Sequence, residues 1–456
     1  MTDHRISAAI VLAAIVAASG CARDKRSAGG DSTRSGASAG AASTGMATCS
    51  GDNGGLTLPP GFCATIFADS IGHARHVVVA PNGDVYVNTW SGIYFGGDKG
   101  PPGGYLVMLR DTTHDGRADV VTRFGAKADS GGHGGTGIGL HGGALYAEEN
   151  GTIVRYTLPA SGGVPTEPVT VVRGLPLNGD HPMHPFAIDS SGMLYVDLGS
   201  ASNSCQLTNR VPNSPGHNPC TELRTRGGIW AYDAGKTGQT FSPANRYATG
   251  IRNAVGITIG PDGKLWSTQH GRDQLAENWS KLYTADQGQN LPAEELLSID
   301  KDADFGWPRC YFDGDQQKLV LAPEYGGDGG KAVGDCGSKQ APAAFFPAHW
   351  APDGLLFYTG IQFPARYRNG AFIAFHGSWN RAPGPQGGYQ VVFQPLSSGK
   401  ASGAYEPFAN GFAGGVMQPD AAKHRPVGLA QGPDGALYIT DDKAGRVYRV
   451  TYVGAK

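Results

Sequence analysis

The stretch ITIGPDGKLWSTQ, residues 257–269, contains a short apolar strand, a turn and a second strand. Its β-branched and aromatic residues are typical of strands. The Pro-Asp-Gly between them provides the positive-φ residue that a tight hairpin needs. The same order returns in LAQGPDGALYITD, residues 429–441. A hairpin that occurs twice in one chain indicates a repeat protein.

Further copies of this hairpin occur at residues 77–89 (VVVAPNGDVYVNT), 138–149 (IGLHGGALYAEE) and 186–198 (FAIDSSGMLYVDL), with a looser copy at 355–377. Six strand-rich repeats of roughly fifty to a hundred residues predict an all-β fold. The predicted fold is a six-bladed β-propeller of four-stranded antiparallel blades, formed by residues 49–456. A pair of β-sandwiches is the alternative, but it gives no reason for the recurrence. Helical content should be small, and AENWSKLYTAD, residues 276–286, is the best helical candidate, inside a loop insertion.

The composition agrees with many short strands joined by turns. Of 456 residues, 71 are glycine and 30 are proline, while 40% are hydrophobic and 17% are charged. This is enough apolar material for a core, and the glycine and proline punctuation disfavours long helices. The net charge of −2, without a lysine or arginine run in the body of the chain, argues against a nucleic-acid partner.

The N-terminal residues predict export. MTDHR is followed by an apolar stretch at residues 6–20 that is too short for a comfortable membrane span. It ends in ASGC, which resembles a bacterial lipobox in which Cys21 becomes lipidated, so residues 1–21 are interpreted as a signal peptide. A plain secretory signal is the alternative. Residues 22–48, rich in Ser, Gly and Ala, should form a disordered linker. We therefore expect an exported protein, periplasmic or anchored to the outer membrane of a bacterium as a lipoprotein.

Apart from Cys21, the cysteines fall into three couples of neighbours in sequence. An even number of cysteines in an exported protein favours disulfides. We expect Cys49–Cys63, Cys205–Cys220 and Cys310–Cys336 on proximity alone, because six cysteines allow fifteen pairings. A zinc site is the competing interpretation, but the chain has no CxxC and no cysteine at ligand spacing from a histidine pair.

Several short motifs are discounted. Gly137, Gly139 and Gly142 match GxGxxG, but a strand follows where a dinucleotide site requires a helix. DTTHDGRAD, residues 111–119, resembles the start of a calcium loop, but Thr122 stands where such a loop has glutamate, so a hairpin turn is favoured. The chain lacks CxxCH, which means that no covalent haem is carried and that electrons would have to leave to a separate acceptor.

A propeller places its ligand site where loops from several blades converge on the axis. The candidate loops are NGDHPMHP (178–185), TGIRNAVG (249–256), TQHGRDQLAEN (268–278) and KHRPVG (423–428). Together with DADFGWP (302–308) and the stretches 357–381 and 425–450, they resemble the quinoprotein glucose/sorbosone dehydrogenases, nearest the sorbosone-dehydrogenase-like branch. The resemblance implies a sugar dehydrogenase with pyrroloquinoline quinone (PQQ) and Ca²⁺ as cofactors.

The resemblance also implies roles for individual residues. His181 would be the general base that takes the hydroxyl proton of an aldose or related sugar aldehyde, with Asp180 beside it to orient the ring. Arg252 and Asn253 would contact the quinone, and Lys423 and Arg425 would bind one of its carboxylates. Gly271 and Arg272 would bind calcium through backbone carbonyls. His184 is interpreted as structural.

Two positions depart from the family pattern. The quinone-contacting glutamine has no clear counterpart, and Arg75 or His76 is expected in its place. The lysine of the fifth blade is also absent, and Arg381 or His376 is expected to substitute; His349 is a further candidate for the axis. The partners implied are a small sugar substrate and an external electron acceptor, a quinone or a cytochrome. A cofactor-free propeller that binds glycans or proteins, and a calcium-dependent lactonase, are the alternatives.

Overall fold

The computed structural model describes residues 49–91, 97–128, 133–381 and 383–454. The predicted signal peptide (1–21) and linker (22–48) lie outside the described residues. Among the residues described, no helix is long and apolar enough to cross a membrane.

The repeated hairpins fold alike. In the copy at residues 257–269, Gly260 N donates to Lys264 O (2.9 Å) and Gly263 has φ +75°. In the copy at 429–441, Gly432 N donates to Ala436 O (2.8 Å) and Gly435 has φ +84°. The left-handed glycine is what lets the two strands return in register. The same turn chemistry therefore gives the same local structure at both places.

Each hairpin forms the two inner strands of a four-stranded antiparallel blade, and six such blades are present in the described part of the chain. Blade 1 contains β2 (His73–Val79), β3 (Val85–Trp90), β4 (Leu106–Arg110) and β5 (Val120–Phe124). Blade 2 contains β6 (Ile138–His141), β7 (Ala144–Glu149), β8 (Thr152–Thr157) and β9 (Thr166–Arg173), extended by β13 (Gln239–Thr240). Blade 3 contains β10 (Phe186–Ile188), β11 (Met193–Leu198), β12 (Gly228–Asp233) and β14 (Arg246–Thr249).

The other three blades follow the same plan. Blade 4 contains β15 (Ile257–Ile259), β16 (Leu265–Gln269), β17 (Glu294–Ile299) and β20 (Ala344–Phe346). Blade 5 contains β21 (Pro352–Phe357), β22 (Gly370–Phe375), β23 (Gln390–Ser397) and β25 (Glu406–Ala409), with the short β24 (Lys400–Ala401). Blade 6 contains β26 (Pro426–Gln431), β27 (Leu437–Asp441), β28 (Arg446–Tyr452) and β1 (Phe62–Ala68). The predicted fold class is confirmed.

The two ends of the propeller chain meet in blade 6. Strand β1 pairs antiparallel with β28, with Phe62 opposite Tyr452, so the first strand of the domain is the outermost strand of its last blade. A disulfide between Cys49 and Cys63 holds the preceding segment onto β1. Closing a ring in this way leaves no long unpaired edge between its first and last blade.

Nine clusters of buried hydrophobic residues occur among the described residues, and six of them each lie between two adjacent blades. Strand β11 shows how alternation produces this. Leu194 and Val196 pack toward blade 2, while Tyr195 packs toward blade 4. Because successive side chains of a strand point to opposite faces, one apolar strand serves two interfaces. The buried clusters therefore fix the blades around a common axis.

The long insertion of blade 4 carries the described α-helices, α1 (Leu275–Asn278) and α2 (Ala285–Asn290). Both helices overlap the helical candidate at 276–286, where a turn separates them and the Thr284 hydroxyl caps the second. The insertion also holds the hairpin β18 (Cys310–Asp313) and β19 (Lys318–Leu321). Short 3-10 turns lie at Asn53–Gly55, Thr221–Arg224, Pro243–Asn245, Pro323–Tyr325, Gly334–Ser338 and Ala365–Arg368.

All three predicted disulfides are confirmed: Cys49–Cys63, Cys205–Cys220 and Cys310–Cys336. Cys205–Cys220 closes a loop between β11 and β12, and Cys310–Cys336 ties β18 to the 3-10 turn at Gly334–Ser338. The segment 111–119 is a turn between β4 and β5, as expected. Asp111 accepts there from the backbone N–H groups of Asp115 and Gly116.

Candidate active site

One end of the ring contains a polar cavity of about 270 Å³. Its walls come from the starts of the innermost strands of blades 1 and 5 and from the loops that precede the innermost strands of blades 3, 4, 5 and 6. The loops after the second strands of blades 3, 4 and 5 and the start of the third strand of blade 4 complete them. The ionisable side chains that line it are Arg75, Arg210, Arg252, Arg425, Asp180, Asp273, Glu294, Asp353, His181, His270, His349 and His376. A second cavity of about 360 Å³, the apolar cavity, is lined by the innermost strands of all six blades and mainly by apolar side chains.

His181 lies in the wall of the polar cavity and is 7% exposed. Its Nδ1 is 2.8 Å from Ser200 O and 3.0 Å from Ser200 Oγ. A carbonyl oxygen only accepts, so Nδ1 carries the proton and Nε2 keeps its lone pair. Burial and the nearby Arg252 guanidinium hold the pKa of His181 well below its usual value. The ring is therefore neutral at physiological pH, with Nε2 able to accept a proton.

Asp180 does not orient the His181 ring, contrary to the prediction. Its carboxylate accepts from Arg210 Nε (3.0 Å) and lies 2.9 Å from Arg210 Nη2, with weaker bonds from Asn209. Asp180 lies in a bend directly before His181, and its carboxylate is turned toward the loop between Cys205 and Cys220, which carries Arg210. Ser200 is the residue that holds the ring, and sequence reasoning missed it.

Arg252 is buried, and protein groups take most of its hydrogen bonds. Its guanidinium donates to Asn203 O (3.1 Å), Gly271 O (2.9 Å), Asn203 Oδ1 (3.0 Å) and Asp273 Oδ2 (2.9 Å). Four of the five N–H groups of the side chain are thereby used. The next residue, Asn253, is also buried, and its Oδ1 has no hydrogen-bond partner among the described residues. The Asn253 side-chain oxygen is therefore a hydrogen-bond acceptor on the cavity wall that no described residue satisfies.

Arg425 carries a positive charge without a partner carboxylate. Its guanidinium donates to the backbone carbonyls of His376 (Nε, 3.1 Å) and Gly377 (Nη2, 2.7 Å) and lies 5.6 Å from the Tyr389 ring centre. Across the described ranges, it forms no ion pair with an acidic side chain. A cation fixed by neutral groups at a cavity is suited to an anionic ligand.

Beneath these residues, a buried ion network joins blades 1, 4, 5 and 6. Arg75 contacts Asp442 (2.6 Å) and Asp353 (3.3 Å), and His376 Nε2 is 2.8 Å from Asp442. Burial opposes the ionisation of Asp353, but Arg75 and His376 more than offset it and hold its pKa far below the usual value. His270 Nε2 lies 3.1 Å from Asp353, without the alignment of a hydrogen bond. Paired charges of this kind make the floor of the cavity rigid.

Comparison with known proteins places the chain in a family. The family model described as TrAA12-like matches residues 56–453. The chain belongs to the TrAA12-like family. Two solved structures share its fold at 20% identity: a family AA12 carbohydrate-active enzyme of Trichoderma reesei (TM-score 0.69, covering 87% of this chain and 98% of that one) and the PQQ domain of pyranose dehydrogenase from Coprinopsis cinerea in its holo form (TM-score 0.66, 87% and 97%).

Curated relatives match only part of the TrAA12-like chain. An uncharacterized protein of Borreliella burgdorferi is 34% identical over 209 residues, which cover 45% of this chain and 48% of that protein. A PQQ-dependent pyranose dehydrogenase of Coprinopsis cinerea is 28% identical over 228 residues, covering 44% of this chain and 30% of that protein. The aligned part is thus less than half the length of either relative.

Several predicted site residues of the TrAA12-like chain line the cavity, and others do not. Asp180, His181, Arg252, Asn253, Gly271, Arg425, Arg75, His349 and His376 all line it. Lys423 is exposed, and its stem covers Gly414 on the outside of the loop. Arg381 donates to Gln289 O and Ala348 O, so it fastens its loop to α2 and does not reach the cavity. Lys423 and Arg381 were expected to contact the cofactor, but neither lines the cavity.

The remaining histidines are distributed as follows. His184 is fully buried, with Nδ1 2.8 Å from Glu148 and Nε2 3.0 Å from Pro176 O, which agrees with a structural role. His76 lines the apolar cavity with Nε2 2.9 Å from Asp353 O, and burial lowers its pKa to about 4. Arg75, not His76, is the residue of this pair that reaches the polar cavity.

Sequence reasoning missed Arg210, Asp273, His270, Asp353 and Asp442. A usable signal existed for two of them, because His270 and Asp442 each follow directly after the second strand of a repeated hairpin, as the predicted candidate His376 does. Arg210 and Asp273 lie in irregular loops and have no such positional signal. Only their ion pairs in the structure, with Asp180, Arg252 and each other, show that they belong to the cavity.

The two residues of the predicted calcium site, Gly271 and Arg272, are placed differently relative to the cavity. Gly271 lines the cavity, while the Arg272 side chain turns away into a buried pair with Glu324 (2.6 Å). Within the described ranges, the single group of possible side-chain metal ligands is Cys310, Asp335 and Cys336, where both cysteines are already joined in a disulfide. A cation at Gly271 would therefore depend on backbone oxygens.

Proposed function

We propose that this protein is a quinoprotein that oxidises an aldose or a related sugar aldehyde with PQQ and passes the electrons to an external acceptor. The observation that carries the proposal is a buried neutral histidine, His181, in the wall of a cavity rich in arginine. Membership of the TrAA12-like family and a curated relative named as a PQQ-dependent pyranose dehydrogenase support the same function.

The residues of the cavity fit such a cofactor. PQQ carries three carboxylates, for which guanidinium groups are the matching partners. Among the described residues, Arg425 has no acidic partner, Arg252 has one N–H without an acceptor, and Asn253 Oδ1 has no donor. Arg75 lies beside them on a fixed ion network. We propose Arg75, Arg252, Asn253 and Arg425 as the residues that hold the cofactor.

When bound, PQQ supplies a two-electron acceptor for the hydride of the anomeric carbon. The chain supplies the base: His181 Nε2 takes the hydroxyl proton of the same carbon, while Nδ1–H stays on Ser200 O. The resulting imidazolium is disfavoured by burial and by Arg252, so it returns its proton readily and the base is restored. His181 is only 7% exposed, so the base itself is largely shielded from bulk water.

Reconstitution tests this proposal. Purified protein is titrated with PQQ in the presence of Ca²⁺, and binding is followed by the quenching of protein fluorescence. A panel of aldoses is then added with a redox dye. Saturable PQQ binding with sugar-dependent dye reduction is the expected result. A protein that binds no PQQ and reduces no dye with any sugar of the panel would contradict the proposal and favour a cofactor-free propeller.

We further propose that Ca²⁺ binds next to the cofactor through the backbone carbonyls of Gly271 and Arg272. Calcium accepts carbonyl oxygens as ligands. The positive charge of Arg272 is neutralised by Glu324. Gly271 O accepts from Arg252 Nη1 (2.9 Å), so calcium binding at this carbonyl requires the Arg252 guanidinium to share the oxygen or to move away from it. Chelation is expected to weaken PQQ binding, and added Ca²⁺ to restore it. Equal PQQ affinity with and without a chelator would exclude a calcium-dependent site.

We also propose an exported location, periplasmic or anchored through Cys21, with a quinone or cytochrome as electron acceptor. Three disulfides support an oxidising compartment. Mass spectrometry of the N-terminal peptide of the cellular protein would identify a lipidated Cys21. A processed N-terminus without lipid would favour a plain secretory signal.

A further inference from the structure

Trp379 differs from every other tryptophan of the chain. The seven tryptophans all lie in described segments, and Trp379 is 55% exposed while the other six are buried or half-buried. The indole has no hydrogen bond and no ring contact with another described residue. It nevertheless lines the polar cavity that contains His181. A large apolar ring held at the mouth of a polar cavity is costly to leave in water, and it is suited to covering part of a ligand.

The loop that carries Trp379 is fixed by its neighbour. Asn380 Nδ2 donates to Asp273 Oδ1 at 2.8 Å. The other oxygen of Asp273 accepts from Arg252 (2.9 Å) and from Arg210 (3.1 Å). Asp273 thus joins the loop after β22 to the loop after β16 and to the loop closed by Cys205–Cys220. The position of the Trp379 indole is therefore fixed, through Asn380, by the same Asp273 that holds Arg252 and Arg210 in the cavity wall.

The cavity that the indole lines also exposes two charged groups, Arg210 and Asp180, which neutralise each other. Arg210 and Asp180 have side chains that are 29% and 22% exposed, and they lie 2.9 Å apart. Arg210 also contacts Asp273. Their hydrogen-bonding edges can meet hydroxyl groups, while the paired charges offer no net attraction for an ion. The Trp379 indole and the paired charges of Arg210 and Asp180 together suit an uncharged polyol that has one less polar face.

We propose that Trp379, Arg210, Asp180 and Asp273 form a saccharide subsite that holds the ring of a neutral aldose at the mouth of the cavity. The C–H face of a pyranose covers the indole, and its hydroxyl edge meets Arg210 and Asp180. Trp379 is thus a specificity-determining residue that acts on sugar binding. The inference rests on the proposed sugar oxidation, whose site it extends.

Fluorescence quenching tests the subsite directly. Acrylamide quenches an exposed indole preferentially, so the quenchable fraction reports on Trp379, and Trp379→Phe should remove it. Glucose and other neutral aldoses are expected to protect this fraction at lower concentrations than a hexuronic acid of the same configuration. The measurement is made with and without PQQ and Ca²⁺. Absence of protection by every neutral sugar in both states would overturn the inference, as would better protection by the uronic acid.

Kinetics of the reconstituted protein separate the subsite from the cofactor site. Trp379→Ala should raise KM for the sugar by about tenfold, the loss expected when an aromatic face no longer covers a ligand, with little change in kcat. Trp379→Phe should recover most of the loss, and PQQ affinity should stay the same in both variants. Ile361→Ala, an exposed apolar residue (76%) in the turn between β21 and β22, is the matched control.

The two proposals fail in different ways. A wild-type protein that binds no PQQ contradicts sugar oxidation, whereas protection of Trp379 by aldoses would still support the subsite. A wild-type protein that oxidises sugars with an unchanged KM in Trp379→Ala would retain the proposed function and overturn the subsite.

Discussion

At the scale of single residues, the hydrogen bond from His181 Nδ1 to Ser200 O decides what His181 can do. It fixes the tautomer, and thereby leaves Nε2 as a proton acceptor in the cavity wall. Ser200 is itself held by its N–H, which donates to Arg252 O at 2.7 Å. The base is therefore aligned by backbone groups of neighbouring blades, and no carboxylate is needed to orient it.

Removal of the base should abolish turnover without loss of the cofactor. His181→Ala is expected to lower kcat by about 10²- to 10⁴-fold, the range of general base catalysis, with PQQ affinity unchanged. Dye reduction and a PQQ titration measure the two quantities. His114→Ala, in the exposed turn between β4 and β5, is the control. Unchanged turnover in His181→Ala would refute its role as base.

The pH dependence follows from the lowered pKa of His181. Burial and Arg252 keep the ring neutral, so the active form persists as the pH falls through 6.5, the value of an unperturbed histidine. The acid limb of log kcat/KM should therefore inflect clearly below pH 6.5. Profiles recorded with two chemically different acceptors exclude an effect of the dye. An inflection at or above 6.5 would mean that His181 is not the titrating base.

The placement of Arg425 and Lys423 gives a matched pair of variants. Arg425→Gln should weaken PQQ binding by about 10- to 100-fold, because a charged hydrogen bond to a carboxylate is lost. The fold should tolerate this change, since Arg425 has only backbone and ring contacts among the described residues. Lys423→Gln, which removes an exposed charge outside the cavity, should leave PQQ affinity unchanged. Equal losses in both variants would show that Lys423 also contacts the cofactor.

At the scale of elements, the recurring hairpin is the part of the fold that the sequence predicts best. Its turn residues and period-two apolar pattern are local, so six inner hairpins can be read directly from the chain. The sites before and after these hairpins, such as Arg252 and Arg425, follow from that placement. Irregular loops carry no comparable signal. This explains why Lys423 and Arg381 were wrongly expected in the cavity, and why Arg210 and Asp273 were missed.

Two disulfides that close loops of almost equal length allow an effect on stability to be separated from an effect on sugar binding. Cys49–Cys63 and Cys205–Cys220 have sequence separations of 14 and 15, so loss of either should lower the free energy of unfolding by a similar amount, about 2–4 kcal/mol. Replacement of Cys205 and Cys220 by serine should also raise KM for the sugar, because their loop carries Arg210. Replacement of Cys49 and Cys63 should leave KM unchanged.

Denaturant unfolding and steady-state kinetics on the two double variants measure these effects. If both pairs change KM equally, the loop that carries Arg210 has no special relation to sugar binding.

At the scale of the whole molecule, the ring brings distant segments to one point. Arg75 and Asp442 are 367 residues apart in sequence and form a buried pair at 2.6 Å. The pairing of β1 with β28 closes the ring in the same way. Contacts of this kind depend on blade number and curvature, which local sequence does not encode. A propeller was predictable from the repeats, but the strand that closes it and the ion network on its axis were not.

The central claim is that this cavity joins a sugar, PQQ and the base His181 in one reaction. The most direct measurement is the absorbance spectrum of the PQQ-loaded protein after addition of an aldose without any electron acceptor. The account predicts a rapid change from the oxidised to the reduced cofactor spectrum in the wild type, and only a very slow change in His181→Ala with PQQ still bound. An unchanged spectrum in the wild type with every aldose, or equal rates in both proteins, would contradict it.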